Sequence, residues 1–267
     1  MRAADFAYLD ATTPVGLAHR GGAGYPPNRG LENSLPAFRN AVAMGYRYLE
    51  TDVHATADGH VLAFHDSRLD RVSDGTGLIA EQPLATVREA RINGIEAIPL
   101  LSQLFEEFPQ ARINIDVKSS GAIEPLVRTI WEHDAADRVC LASFSERRLR
   151  RVRRLLGPGV ATAAGSVGVA AMRFGPWLLH RLMATPAPVL QVPASHRVGP
   201  RDVPLVTERL VERAHRLGKH VHVWTIDDAD EMRRLFDLGV DGIVTDRIDT
   251  LRDVLAERGR PLERPAA

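Results

Sequence analysis

Short β-like runs alternate with longer helical patterns from one end of the chain to the other, and this alternation restricts the fold more than any other feature. The β-like runs fall at residues 15–19, 48–54, 112–118, 139–144, 160–164, 189–193, 220–226 and 242–246. Helical patterns lie between them at 34–44, 123–133, 146–156, 167–183, 207–217, 229–238 and 250–258. Strands joined by helices through mostly short connections predict a parallel sheet with crossover helices, and eight such units can close into a (β/α)8 TIM barrel of the α/β class. The 267 residues suit a single such barrel, which needs about 250, so one domain over 1–267 is the economical reading. Ser145 and the pair Asp227-Asp228 supply N-cap groups to the helices that follow, and Gly157, Gly218 and Gly239 are stop signals.

One unit departs from the pattern. Between Val53 and Pro99 the turn Ala57-Asp58-Gly59, the apolar run 60–64 and the loop 73–77 predict a small inserted subdomain with a hairpin, placed at about 55–110. Insertions after barrel strands lie on the carboxyl-terminal face, where active sites are built, so this one is expected to wall the pocket.

With 34 basic and 34 acidic residues the formal charge is zero. Nothing global therefore argues for nucleic acid or an anionic membrane as partner, and any attraction for phosphate must be local. Cys140, the only cysteine, lies in an apolar run and reads as a buried inert thiol. The first ten residues lack the apolar core of a secretion signal, which predicts a cytoplasmic protein. The most membrane-like stretch, 165–183, contains Arg173, His180, Arg181 and a Gly175-Pro176 break. It falls short of a span of about 20 apolar residues and reads as an amphipathic surface helix. The tail from Arg260 is expected to be loosely ordered.

The chemistry-bearing residues gather at predicted strand ends. His19 and Arg20 end the first run ahead of Gly21-Gly22, where paired glycines permit close backbone approach or positive φ. Glu50 and Asp52 are two apart on one strand and share a face, with His54 continuing it. Two inward carboxylates repel unless a cation or arginine compensates, and oxygen donors favour a hard divalent ion such as Mg2+ or Ca2+. Asp116 is a third candidate oxygen ligand, and Lys118, two residues on, is either its plain ion-pair partner or a further site cation. His65-Asp66 follows the hairpin-like run and is placed to lean over the pocket opposite His19. Asn33 reads as the cap of the first helix, and Glu32 as either a first-turn charge or a site residue. Trp224 is either a barrel-core filler or a wall for an organic leaving group; Thr245 and Asp246 either close the mouth or cap the last helix.

These residues carry a resemblance. Ala18-His19-Arg20-Gly21, Glu32-Asn33-Ser34, Glu50-Thr51-Asp52-Val53-His54, His65-Asp66, Asp116-Val117-Lys118 and Asp241 to Asp246 occur in the order seen in glycerophosphodiester phosphodiesterases, and the chain resembles that family over nearly its whole length. The resemblance implies a (β/α)8 barrel that cleaves a phosphodiester, with His19 and His65 as acid and base and Glu50, Asp52 and Asp116 holding a divalent metal, Mg2+ or Ca2+. The family usually carries glutamate where this chain has Asp116, a carboxylate with less reach. Arg20 and Lys118 become phosphate clamps, with Glu32, Asn33 and Trp224 completing the substrate site. The implied partner is a small-molecule glycerophosphodiester, with no nucleic acid and with transient membrane-surface contact left open. A related phospholipase or lyase acting on lysophospholipid or sphingolipid is the rival, supported by the apolar stretch 170–179; a non-catalytic phosphate-binding barrel is the remaining alternative.

Overall fold

The structure is a computed structural model, and it describes residues 1–175, 185–198 and 201–263. Each of the eight predicted runs forms a strand: β1 (Val15–His19), β2 (Tyr48–Ala55), β3 (Arg112–Val117), β4 (Val139–Ala142), β5 (Ala161–Thr162), β6 (Val189–Pro193), β7 (His220–Trp224) and β8 (Gly242–Thr245). They pair in parallel in the order β5-β4-β3-β2-β1-β8-β7-β6. The two ends meet where Ala163 bridges Val189 and the Ala164 N–H donates to the Val189 carbonyl at 2.8 Å. The result is the TIM-like α/β barrel, nearly closed, that the alternation predicts.

The crossover helices are α1 (Leu35–Ala43), α2 (Leu101–Glu107), α3 (Ile123–Glu132), α4 (Glu146–Leu156), α5 (Ser166–Phe174), α6 (Glu208–Arg216), α7 (Ala229–Asp237) and α8 (Ile248–Glu257). Ser145 caps α4 and Asp228 caps α7 by accepting from the N–H groups of Arg148 and Glu231. The first helix corrects one expectation. Its cap is Ser34, which accepts from Ala37 N–H at 3.3 Å, while Asn33 stands one residue earlier at φ +59° and turns its amide elsewhere. The helix expected over 167–183 is formed as α5 as far as Phe174, and 176–183 lies outside the described residues. In the tail, Leu262 packs on the main core, so order extends past the point where loosening was expected.

Two apolar clusters divide the barrel. The larger lies between strands and helices, where Val53, Ile113 and Leu141 meet residues such as Phe38, Leu126 and Val152. The smaller fills the barrel interior with Leu17, Tyr48, Cys140, Ala161, Val189 and Val244, and continues into Ala3, Phe6, Tyr8 and Leu9, which close the amino-terminal end. Tyr48 meets the Tyr8 ring edge-on at 5.3 Å and donates its hydroxyl to the Tyr8 carbonyl at 2.8 Å. With that end packed, the barrel is a filled core open only towards its carboxyl-terminal face.

After β2 the chain turns back through a short antiparallel strand, Val61–Ala63, with Leu62 opposite His54. The segment beyond has its own core of Leu62, Phe64, Leu69, Ile79, Val87 and Ile92. The independent core stops before α2: Leu101, Leu104 and Phe105 belong to the barrel cluster. Residues 101–107, inside the span expected for the insertion, are therefore the ordinary crossover helix between β2 and β3. Among the described residues no helix is long and apolar enough to cross a membrane.

Candidate active site

The turn after β1 sets the geometry. Gly21 and Gly22 sit at φ +85° and +87°, and a Cβ on either would meet Ala37 or Ile248 at 2.8 Å or less. Arg20 is held at φ +50°, a costly conformation for a side-chain-bearing residue. Its N–H donates to the Glu50 carbonyl at 3.0 Å and its carbonyl accepts from Asn33 N–H at 2.9 Å. The strained turn thereby presents the Arg20 guanidinium beside β2 rather than to solvent.

His19, Arg20, Glu50, Asp52, His65, Asp116, Lys118 and Trp224 all line one cavity of about 590 Å3 at the carboxyl-terminal face. The spatial convergence expected of remote segments is therefore present. Strand register explains much of it: Asp52 and Asp116 are direct partners across β2 and β3, and Glu50 is paired with His19 across β1 and β2. His65 arrives differently. The Phe64 N–H donates to the Asp52 carbonyl at 2.9 Å, and His54 Nε2 donates to the His65 carbonyl at 3.0 Å, so the return strand carries His65 over the mouth.

Both imidazoles are oriented in the same way. His19 Nδ1 lies 2.8 Å from Asp246 Oδ1, and His65 Nδ1 lies 2.5 Å from Asp66 Oδ1. An ionised carboxylate only accepts, so each Nδ1 carries the proton and each Nε2 is left for chemistry. On His19 burial opposes the charged form, but the Glu50 charge, with Nε2 3.8 Å away, and the Asp246 hydrogen bond outweigh it and raise the imidazole above its ordinary value.

The three carboxylates differ in state. Burial, then the neighbouring Asp52 charge, pushes Glu50 up to about 7. Burial also pushes against ionised Asp52, but Arg20 and Lys118, at 3.0 and 2.8 Å, overcome it and lower this carboxyl. Burial raises Asp116 in spite of Lys118 at 2.7 Å. The Lys118 ammonium thus stands between Asp52 and Asp116. Removing one partner from such a buried charge group would cost about 3–5 kcal/mol. Asp116 Oδ1 is buried with no hydrogen-bond partner among the described residues. Among those residues no three His, Cys, Asp or Glu side chains are already gathered as a metal cluster.

Glu32 and Asn33, expected as substrate contacts, stand behind the wall instead of on it. Asn33 is fully buried, donates to Asp52 Oδ2 at 3.3 Å and accepts from Thr51 at 2.8 Å. Glu32 pairs with Arg20 at 3.3 Å and with Arg71 at 2.6 Å, and Arg71 continues to Asp66 at 2.5 Å. Both therefore steady the residues that face the cavity. Two contributors escaped the sequence reading: Asp246, seen there only as a mouth or cap residue, and Arg71. Asp246 had a signal, a carboxylate at a strand end, but its partner lies 227 residues away.

The rest of the cavity is different in kind. Phe144, Val169, Ala170, Phe174, Leu205 and Trp224 form its far wall. Trp224 meets Phe144 edge-on at 5.7 Å and also packs against the barrel-interior cluster, so it is both cavity wall and the top of that core. Below it His222 is fully buried and pushed down to about 3 by burial, which marks a neutral core histidine.

An arginine and a lysine set beside two imidazoles at a barrel mouth suit the chemistry of a phosphoric diester hydrolase. A family model described as the glycerophosphoryl diester phosphodiesterase family matches residues 19–250. The chain is 40% identical over 254 residues to a probable glycerophosphodiester phosphodiesterase 2 of Mycobacterium tuberculosis, covering 92% of each. It is 27% identical over 279 residues to lysophospholipase D GDPD1 of Rattus norvegicus, covering 90% of this chain and 85% of that one. In structure it is similar to an Oleispira antarctica phosphodiesterase solved in complex with the product sn-glycerol-3-phosphate, with TM-score 0.74, 24% identity, and coverage of 91% and 97%. The chain belongs to the glycerophosphodiester phosphodiesterase family.

Proposed function

We propose that this enzyme hydrolyses glycerophosphodiesters to glycerol phosphate and an alcohol, with His19 and His65 as its acid and base. The observation that carries the reading is the matched pair of imidazoles, each with Nδ1 on a carboxylate and both on one cavity with Arg20 and Lys118. A phosphate seated on those two cations would share the cavity with both histidines. His65 Nε2 takes the proton from the attacking oxygen as its bond to phosphorus forms. His19, whose proton is favoured by Glu50 and Asp246, gives it to the departing alcohol oxygen as that bond breaks. Arg20 and Lys118 stabilise the charge that builds on the equatorial oxygens. The attacking oxygen belongs to water or to a hydroxyl of the substrate glycerol; the second route passes through a cyclic phosphate.

The residues present fit a divalent cation by their chemistry. Glu50, Asp52 and Asp116 offer only hard oxygen donors, burial disfavours ionised Glu50 without a compensating charge, and Asp116 Oδ1 is left unsatisfied. These three would hold Mg2+ or Ca2+, with Lys118 swung towards the phosphate. Bound there, the ion supplies neutralising charge for the diester.

A second reading is favoured by the apolar far wall, which suits an acyl chain: the lysophospholipase D reaction, named for the rat relative. One experiment tests both. Glycerophosphocholine and lysophosphatidylcholine are incubated with enzyme, with chelator or with added metal, and the phosphorus products are followed by NMR. Metal-dependent glycerol phosphate from the first supports the proposal, and an early cyclic phosphate identifies the glycerol hydroxyl as attacker. Turnover of the lysolipid alone would transfer the assignment to the second reading.

A further inference from the structure

The formal charge of zero hides a strong asymmetry. From Arg147 to Arg201 the chain contains ten arginines and no lysine, aspartate or glutamate, so the remainder carries a net charge of −10. This stretch begins in the first turn of α4, directly after the β4–α4 turn, and includes α5. Both segments border the apolar side of the cavity mouth. Three large apolar side chains stand exposed here: Phe144 at 62%, Val167 at 68% and Phe174 at 63%. Phe144 and Phe174 also line the cavity, so the exposed patch is continuous with its far wall.

We propose that this rim, built from Phe144, Val167 and Phe174 with Arg147 and Arg173, docks on an anionic lipid bilayer. Single exposed apolar residues are ordinary, but a set gathered at a cavity mouth and bordered by unpaired cations is an interfacial arrangement. The Arg173 guanidinium lies over the Phe174 ring at 4.9 Å and donates to the Pro204 carbonyl at 3.3 Å, so its charge sits on the aromatic face of the rim. Arg147, Arg150 and Arg154 are exposed and have no carboxylate partner among the described residues. Along α4 they span about 10 Å, beginning three residues after Phe144, and exposed charges act over a Debye length of about 8 Å. Glu146, the acid bordering the stretch, packs inward beside Gly165.

The opposite rim shows what a surface without this role looks like. On the insertion side Arg71 is bound by Asp66 and Glu32, and Arg68 by Asp70. Its cations are neutralised within the surface. A bilayer engaged by the α4–α5 rim would meet the cavity through its apolar wall, so the acyl chain of a lipid-borne diester could enter without crossing the charged half.

The inference rests on the rim and not on the proposed reaction, because vesicle binding is read without turnover. The full chain is floated with vesicles of phosphatidylcholine, or of phosphatidylcholine with phosphatidylglycerol, at low and high salt. Binding to the anionic vesicles at least about tenfold over the neutral ones, lost in high salt, is expected. Arg147→Glu, which reverses one charge, should weaken it about thirtyfold, in keeping with about 1 kcal/mol per charge at the surface, and Val167→Glu by a similar factor. Both should leave turnover of a water-soluble diester unchanged, which also shows that they fold. Arg68→Glu on the insertion rim should stay within about twofold. Equal binding to neutral vesicles, no binding to either, or an Arg68→Glu loss as large as that of Arg147→Glu would overturn the proposal.

Discussion

The two halves of the cavity are built on opposite physical rules. Over β1 to β3 three buried carboxylates, an arginine, a lysine and a histidine crowd together, and His65 leans in from the insertion. Asp52, Asp116, Arg20 and Lys118 each lie within 3.0 Å of an opposite charge, whereas Glu50 has His19 at 3.8 Å. Over β4 to β7 the wall is Phe144, Ala164, Val169, Ala170, Pro193 and Trp224, with no carboxylate among its lining residues. The charged half can stabilise a reacting phosphate but selects poorly among organic groups; the apolar half can select them, and the imidazole on its lining, His196, is exposed. Division of labour across one cavity follows, with chemistry on one side and choice of the substrate's organic group on the other.

That division can be broken or sharpened in four ways. The largest effect is expected from chelation: turnover should fall to background and return with Mg2+ or Ca2+, as read by phosphorus NMR. Undiminished turnover would mean that Arg20 and Lys118 alone neutralise the diester. Next, His19→Ala and His65→Ala should each lower kcat by about 100- to 10,000-fold while leaving metal affinity, measured by calorimetry, nearly unchanged. Full turnover in either would remove proton transfer from the charged half.

Asp246→Asn should act through His19, lowering kcat by about tenfold, with a shift in pH dependence as its signature. Asp246 raises the His19 imidazole, so its loss brings the proton off at lower pH. A general acid works only below its own pKa, and the alkaline limb of the kcat profile should therefore move to lower pH. A lower rate with an unmoved limb would reduce Asp246 to a structural strut. The smallest effect is expected from the other half: Trp224→Ala should reduce kcat/KM for lysophosphatidylcholine by about fivefold and for glycerophosphocholine by less than twofold, as lost apolar contact weighs only on the substrate that carries an acyl chain. Equal losses on both substrates would erase the distinction between the halves.

The charged half was far more legible than the apolar one. A strand period of two places Glu50 and Asp52 on one face whatever surrounds them, and β1 and β6 end where their runs of residues predict. Residues 101–107 show a different kind of miss. Leu101, Leu104, Phe105 and Phe108 have helical spacing, but the turn-rich segment before them drew them into the insertion until the core they join was visible. Asn33 shows a third: its place ahead of a helix suggests a cap, yet its amide holds Asp52 because the turn at Arg20 brings the two together. Phe144 and Phe174 carry no sequence mark that separates a cavity wall from a core, since an apolar residue looks the same in both places.

Local periodicity and residue chemistry were enough to establish eight strands, seven of the helices that join them, a charged set at the strand ends and the reaction class it suits, because these depend on near neighbours along the chain. Which nitrogen of each histidine faces the cavity, which carboxyl is hard to ionise and which rim is left with unpaired arginines depend on barrel closure. Closure brings Asp246 to His19 and Lys118 between two aspartates. Burial then determines the strength of each charge, because electrostatic energy depends on distance and solvent access, and neither is encoded at a single position.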